Sequence, residues 1–542
     1  MVMQRLPVGI QSFQDLREND YLYIDKTSYI HQLLNGKVYF LSRPRRFGKS
    51  LFLSTLAAYF RGQKELFKGL YLEKVEKELA KQEKRQAWQE YPVLYLDLNA
   101  KYYTSVEALL DILERHFWEW ETTYQLEKLF NAPDDRFAYI IQEVCKKTQK
   151  QVVILIDEYD KPLYETLANE ELNEVYRGIL RGVFASIKSL DACIRFAFLT
   201  GITKFSKVSV FSGLNNLEDI SLDNEYAGIC GITEHELREY FTPYVRVLAE
   251  KRQLSLEETF LLLKENYDGY LFAAEGESVY NPFSLLNILK KTQLKNYWFA
   301  TGTPTFLVNY LKKARYNIPD LGGNVRLNAM RFDSYRADVN DVVPILYHTG
   351  YLTIKDYDPE TDVYRLGFPN SEVRYGFFEN LLAGYAPDYL TLGFSVNDFL
   401  DVVRTGDVDT FMTNLKALLA SIPYDTAPTT DVQLRERDYQ IAIYLVFALV
   451  GLFVQTEVHS TTGRADCIVI TEKYVYVFEF KLWSAGTAEE ALQQILDKDY
   501  AAKYQATGKE LILIGANFDE EKRNIGEWVV RQEAQTAKAV KP

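Results

Sequence analysis

VVILID (152–157) is apolar without a break until its final aspartate, and Glu158 and Asp160 add two more acids just beyond it. A half-exposed strand alternates polar and apolar side chains, so an unbroken aliphatic run belongs to a strand covered on both faces. That places it inside a parallel sheet with helices on either side. VYFLS (38–42), VLYLDL (93–98) and IRFAFLTG (194–201) have the same character. Helical stretches separate the four runs, and the alternation predicts a parallel α/β sheet from about residue 20 to 205.

A chain of 542 residues exceeds one core. Domains hold about 100–200 residues, so two to four packed units are expected. Hydrophobic residues at 47% and charged residues at 25% are ordinary globular values and argue against long disordered tracts. From 231 to 430 the pattern is mostly helical, a lid and connector, and TEHELREYF opens like a capped helix with Thr233 as N-cap and Glu236 three residues on. The turns YDGY (267–270) and YNPF (280–283) read as packing corners. SIPYDTAPTTD (421–431) reads as a linker. After it come a helix (432–452), strands at 454–460, 465–471 and 474–482, a helix (487–505) and a strand (510–516), an αβββαβ order. The expected divisions are therefore 1–230, 231–430 and 431–542.

Cys145, Cys193, Cys230 and Cys467 lie far apart with no CxxC pair, which argues against a disulfide framework or a structural zinc site. The opening MVMQRLPVGIQSF lacks the basic start and apolar run of a signal peptide, so the expected location is the cytoplasm. Ile441–Val454 is the most apolar tract, yet it is shorter than the roughly 20 residues a spanning helix needs, and it reads as a buried helix without membrane contact. A formal net charge of −13 argues against broad nucleic-acid affinity and leaves room for local basic grooves.

RPRRFGKS (43–50) follows the first apolar run. A loop between a strand and a helix meets the phosphates of a nucleoside triphosphate with backbone N–H groups, the helix N-terminus and one lysine. Gly48 lets the backbone approach, Lys49 reaches the β and γ phosphates, and Ser50 can ligate Mg²⁺. Arg43 stands where GxxxxGK[ST] has its first glycine, followed by Pro44, Arg45, Arg46 and Phe47, so the loop alone also reads as a basic surface turn. Asp157 and Glu158 favour the phosphate loop: at a strand end, one carboxylate holds Mg²⁺ and the next polarises the attacking water. Thr200, closing another strand, is either a γ-phosphate sensor or an ordinary strand-ending threonine.

Together, YLYIDKTSYI (21–30), RPRRFGKSLFLSTL, VVILIDEYD and FLTGITKFS resemble the predicted AAA-ATPase-like family of bacteria over roughly the first 230 residues. The resemblance implies an AAA-like P-loop NTPase sheet that binds ATP with Mg²⁺, using residues Arg43 to Leu51, Asp157 and Thr200, with Lys49 and Glu158 catalytic. It also implies that replacement of the first glycine is the family's habit. Asp25, Lys26 and Thr27 form a family motif that either lines the nucleotide site or caps the next helix. If subunits of a homo-oligomer complete each other's sites, Arg177, Arg181, Arg45 and Arg46 are all open as the arginine finger.

In the C-terminal part, GRADCIVI (463–470) puts Asp466 at a strand start, and YVFEFKLW (476–483) puts Glu479 and Lys481 on one face of the next strand. Two carboxylates can hold a divalent metal beside a scissile phosphate, with Lys481 positioning water. The alternative is a solvent face with ordinary ion pairs, against which the surrounding apolar run makes unmatched charge costly. The D-x12-E-x-K spacing and element order resemble PD-(D/E)XK nucleases of restriction-endonuclease-like fold over about 431–542. Ala465 stands where that motif has proline. The resemblance implies metal ligation by Asp466 and Glu479 with Mg²⁺ or Mn²⁺ and Gln494 and Tyr500 as secondary residues; an acid from the first helix would strengthen the site, with Glu436 and Asp438 as candidates and Glu457 just before the second strand. Two functions compete: an ATPase controlling DNA or RNA cleavage, and an ATP-dependent switch whose C-terminal domain binds nucleic acid or a protein partner without cutting.

Overall fold

The computed structural model describes residues 3–167, 169–203, 210–211, 214–301, 305–314, 316–322, 325–329, 331, 342–386, 396–422, 432–451, 455–458, 467–519, 521–522 and 524–533. By packing, Met1–Trp298 and Gly323–Glu372 form one unit, and Phe299–Gly322 with Val373–Pro542 form another.

The first unit is built on five parallel strands: β1 (Val38–Ser42), β2 (Val93–Asp97), β3 (Val152–Asp157), β4 (Ile194–Gly201) and the short β5 (Glu218–Asp219). Their order is β2-β3-β4-β1-β5. Every side chain of β3 is buried, as its unbroken apolar run requires. Each such aliphatic side chain contributes about 1.5–3 kcal/mol on burial. Because all strands run the same way, β1, β3 and β4 end on one edge, where open α/β sheets bind ligands. The phosphate loop and the acid pair therefore share that edge.

Helix Glu234–Arg252 starts with the expected capping box of Thr233 and Glu236. β6 (Ile232–Thr233) pairs with β7 (Val279–Tyr280) beside it. The stretch read as mostly helical also contains an antiparallel sheet of β8 (Val325–Asn328), β9 (Thr353–Asp358) and β10 (Val363–Gly367), in the order β8-β10-β9.

In the second unit, helix Val432–Val450 precedes a five-stranded mixed sheet of β11 (Gln455–Val458), β12 (Cys467–Ile470), β13 (Tyr474–Leu482), β14 (Glu510–Asp519) and β15 (Asn524–Glu533), in sequential order. β13 and β14 are parallel, joined through helix Ala488–Asp497, and the other neighbours are antiparallel. The expected αβββαβ order is present with β15 added as an edge strand. The expected helix 487–505 ends at Asp497 and resumes as a 3₁₀ turn, Ala502–Thr507. Cys145 and Cys193 are partly buried, and Cys230 and Cys467 are buried. Among the described residues no helix is long and apolar enough to cross a membrane.

Candidate functional site

The loop after β1 turns twice through left-handed backbone, at Arg46 (φ 68°) and Gly48 (φ 98°). A β-carbon on Gly48 would meet nothing within 4 Å among the described residues, so glycine is needed there for its backbone angle. Arg43 is absent from the left-handed residues, so the position where the consensus has glycine needs none here. Gly48 then caps helix Lys49–Phe60.

Arg43 points into the protein. It is 1% exposed, and its guanidinium donates to the carbonyls of Ser42 (2.9 Å), Ser221 (2.7 Å) and Tyr226 (3.0 Å) while lying 4.4 Å from the Phe272 ring centre. Burial pulls its pKa below the usual arginine value. Phe47 is an anchor as well, edge-on to Tyr270 at 4.7 Å and to Phe272 at 5.3 Å between ring centres. Pro44 packs toward Gly350. Arg46 lies 4.0 Å from the Phe283 ring centre, and Arg45 is exposed over Tyr164. YDGY and YNPF are thus the props of the loop.

Lys49 is buried, and its ammonium donates to the carbonyls of Arg43 (3.1 Å) and Pro44 (3.2 Å) and pairs with Glu158 Oε1 at 3.3 Å. Asp157, at the end of β3, is buried beside Ser50, whose proximity favours the ionised acid. Burial first, then the Glu158 charge, outweigh that and push its pKa up to about 6. Its Oδ2 accepts from Tyr95 at 3.4 Å, while Oδ1 is buried with no hydrogen-bond partner among the described residues. An unpartnered carboxylate oxygen beside a serine hydroxyl suits a hard divalent cation such as Mg²⁺. Glu158 has φ 51°, a left-handed turn that carries the chain off the strand.

Thr200 is fully buried and its hydroxyl donates to Leu41 O at 3.0 Å, across the β1–β4 register, so it is turned into the sheet. Asp160, unassigned by sequence, ties the β3 turn to the end of β4, accepting from the amides of Ile202 (3.1 Å) and Thr203 (2.6 Å). The acids of IDEYD therefore divide into a metal-suited Asp157, a Lys49-paired Glu158 and a structural Asp160.

A cavity of about 410 Å³ opens over the loop, lined by Arg45 to Phe52 and Glu158, a size that suits a nucleotide-sized ligand. Its other walls are Pro7, Gly9, Ile10 and Gln11, Leu22 to Ile24, Ile229 to Ile232, and Pro282, Phe283 and Leu286. Leu22 to Ile24 lie in the motif YLYIDKTSYI and Pro282 and Phe283 in YNPF, but their meeting was not legible in sequence, because segments over 200 residues apart build one wall and leave no local pattern. The cavity is charged at the loop and apolar opposite, as a triphosphate joined to a flat base requires. Asp25 accepts from the Thr27 amide (2.9 Å), the Thr27 hydroxyl (2.6 Å) and the Tyr71 amide (2.6 Å), tying together the starts of helices Thr27–Leu33 and Tyr71–Gln82. Lys26 lines the cavity and pairs with Glu236 at 2.6 Å. Arg177 and Arg181 lie on helix Glu170–Ser189 and do not line the cavity, whereas Arg45 and Arg46 do.

In the second unit, Glu479 is buried on β13 and accepts from the side-chain amide of Gln494 on helix Ala488–Asp497. Gly515, opposite Glu479 in β14, makes that meeting possible: a β-carbon there would lie 2.2 Å from Ala488 O and 2.3 Å from Leu492 N. Lys481 is half-buried on the same face. Tyr500 packs against the core of this sheet with its hydroxyl buried. Asp466 lies outside the described residues. Glu436 and Asp438 fall on helix Val432–Val450 and Glu457 on β11, with side chains outside the described set. Among the described residues no cluster of three or more His, Cys, Asp or Glu side chains is arranged to hold a metal ion.

Comparison with known proteins agrees with both halves. Residues 7–211 match the family model for predicted AAA-ATPases, and residues 434–528 match the PD-(D/E)XK nuclease superfamily. An "Uncharacterized protein in vnfD 5'region" of Azotobacter chroococcum mcd 1 is 37% identical over 535 residues, covering 98% of this chain and 99% of its own length. The chain belongs to the predicted AAA-ATPase-like family that carries a C-terminal PD-(D/E)XK nuclease superfamily domain.

Proposed function

We propose that the protein binds and hydrolyses ATP in the cavity over the phosphate loop and that this activity governs a Mg²⁺- or Mn²⁺-dependent nuclease-like domain acting on DNA or RNA. Residues 1–230 supply the ATPase module, 231–430 the lid and connector, and 431–542 the nuclease-like module. The observation that carries the reading is the convergence of Lys49, Ser50, Asp157 and Glu158 on one sheet edge, with Lys49 and Glu158 3.3 Å apart. Lys49 exchanges two loop carbonyls and one carboxylate for the phosphates of ATP. Glu158, released from Lys49, accepts the proton of the water that attacks the γ phosphorus. Ser50 and Asp157 would hold Mg²⁺, which neutralises charge on the β and γ phosphates. Arg43, Pro44 and Phe47 set the loop's shape, so backbone N–H groups and Lys49 carry phosphate recognition.

At the second centre, Asp466 and Glu479 are the proposed metal ligands, with Lys481 positioning the attacking water and Gln494 orienting Glu479. The Gln494 amide on Glu479 and the net charge of −13 also favour a second reading, in which the domain binds a partner without cutting.

The test is purified protein with plasmid, linear DNA, single strands and RNA, with Mg²⁺ or Mn²⁺, with and without ATP. Lys49→Ala and Glu158→Gln are expected to lower ATP turnover by about 100-fold or more, and Asp466→Ala to abolish cleavage without touching ATP turnover. ATP turnover that survives Lys49→Ala refutes the ATPase assignment. Wild-type protein that cuts nothing under any condition leaves the switch as the function.

A further inference from the structure

Arg46 and Phe47 both hold Trp298. Arg46 Nη1 donates to the carbonyls of Tyr297 (3.4 Å) and Trp298 (3.3 Å). The Phe47 ring stands edge-on to the indole with 6.4 Å between ring centres, and Tyr270 packs against both. Pro44 joins them through Gly350, where a β-carbon would lie 2.8 Å from Pro44 Cβ and 3.2 Å from Trp298 Cη2. Three residues of the phosphate loop therefore close around one tryptophan. The Trp298 amide in turn donates to Glu372 Oε1 at 2.9 Å, and Glu372 is itself 2% exposed.

Trp298 and Glu372 are the residues at which the chain leaves the first unit, since the second unit takes up at Phe299 and again at Val373. Two of the three crossings between units are thus fastened to each other by a hydrogen bond, and one of the two residues that make it, Trp298, is gripped by the phosphate loop. Nothing in the ATPase chemistry uses this arrangement. Arg46 has φ 68°, an uncommon state for a residue with a side chain. Such conformations persist only where their surroundings hold them, and they gather at switch segments. A phosphate that draws the loop's N–H groups toward itself acts on the backbone that carries this strained residue.

We propose that Arg46, Trp298 and Glu372 form a coupling clamp, through which phosphate in the loop resets the hydrogen bond that joins both chain exits to the second unit. The clamp rests on the ATP reading for its trigger but not for its existence. Ligand-driven coupling requires contacts that differ between the loaded and empty loop, and the Arg46 bonds to the carbonyls of Tyr297 and Trp298 are those contacts. Glu372 acts here through Trp298 and is a positioning residue.

Hydrogen exchange on the full chain tests this, following peptides that cover 296–301 and 370–377, with and without Mg²⁺ and a slowly hydrolysed ATP analogue. Without nucleotide, Glu372→Ala and Arg46→Met are expected to raise exchange about 10-fold or more at the Trp298 amide. Glu372→Gln retains an acceptor oxygen and is expected to match wild type. With the analogue, both peptides change in wild type and in Glu372→Gln, while Glu372→Ala binds it and loses the coupled response. Analogue bound to wild type with both peptides unchanged overturns the coupling, as does an unaltered response in Glu372→Ala. If no analogue binds, the ATP reading and the trigger fail together, and a slow-exchanging Trp298 amide that Glu372→Ala and Arg46→Met release and Glu372→Gln does not still separates the clamp from that failure.

Discussion

Asp157→Asn should make the nucleotide-free protein more stable while ending the Mg²⁺-dependent ATP turnover proposed above. The carboxyl of Asp157 ordinarily titrates at 3.8, and burial followed by the Glu158 charge lifts it to about 6 in the folded chain. A raised folded value means that the ionised acid is held at a cost. That cost is absent below about pH 4, grows as pH rises toward 6 and is complete above it. At ~1.4 kcal/mol for each tenfold change, it reaches about 3 kcal/mol at pH 8. Asparagine keeps the shape and removes the charge, but its buried amide brings an unmet donor worth about 1–2 kcal/mol. The net gain at pH 8 is then about 1–2 kcal/mol, or a rise of roughly 2–6 °C in thermal midpoint. At pH 5 the wild-type cost has fallen to about 1.6 kcal/mol, and the variant's advantage disappears. Thermal scans at pH 8 and pH 5, free of nucleotide and Mg²⁺, read both numbers. A variant no more stable than wild type at pH 8, or equally favoured at both values, refutes the buried-carboxylate argument.

Two further substitutions test how the sites are held. Arg43→Met removes the donor for the carbonyls of Ser42, Ser221 and Tyr226. It should cost about 3 kcal/mol or more, read as a lower urea midpoint or loss of soluble protein. A variant that is stable and merely weaker for ATP would make Arg43 a phosphate contact instead. Gly515→Ala forces a β-carbon to within 2.2 Å of Ala488 O, so helix Ala488–Asp497 must lift from β14 at a cost of about 1–3 kcal/mol. Faster hydrogen exchange in that helix and loss of any cleavage should follow, and an unchanged helix would contradict the close packing.

What was legible in the sequence was what neighbouring residues decide. Continuous apolarity marked β1 to β4, and a strand followed by FGKS or ended by Asp-Glu marked the chemistry, because strand, turn and helix start are local. The sheet β8-β10-β9 was not legible: VRLN alternates buried and exposed positions over only four residues, and short antiparallel strands of that kind merge into helical surroundings. β15 was missed for a similar reason, since NIGEWVVRQE is half polar and its place is set by pairing with β14. The far wall of the cavity over the loop needs tertiary structure outright.

The arginines of RPRRFGKS show the limit most clearly. In sequence they are one basic cluster facing phosphate. In the fold, three carbonyls and the Phe272 ring take Arg43 inward, the Phe283 ring and the Tyr297 and Trp298 carbonyls take Arg46, and Arg45 remains exposed. A buried guanidinium is tolerated only where carbonyls already converge on it, and those of Ser221 and Tyr226 lie about 180 residues away along the chain. The missing first glycine has the same explanation: the left-handed turn sits at Arg46 and Gly48, leaving position 43 free to carry a side chain that anchors the loop from beneath.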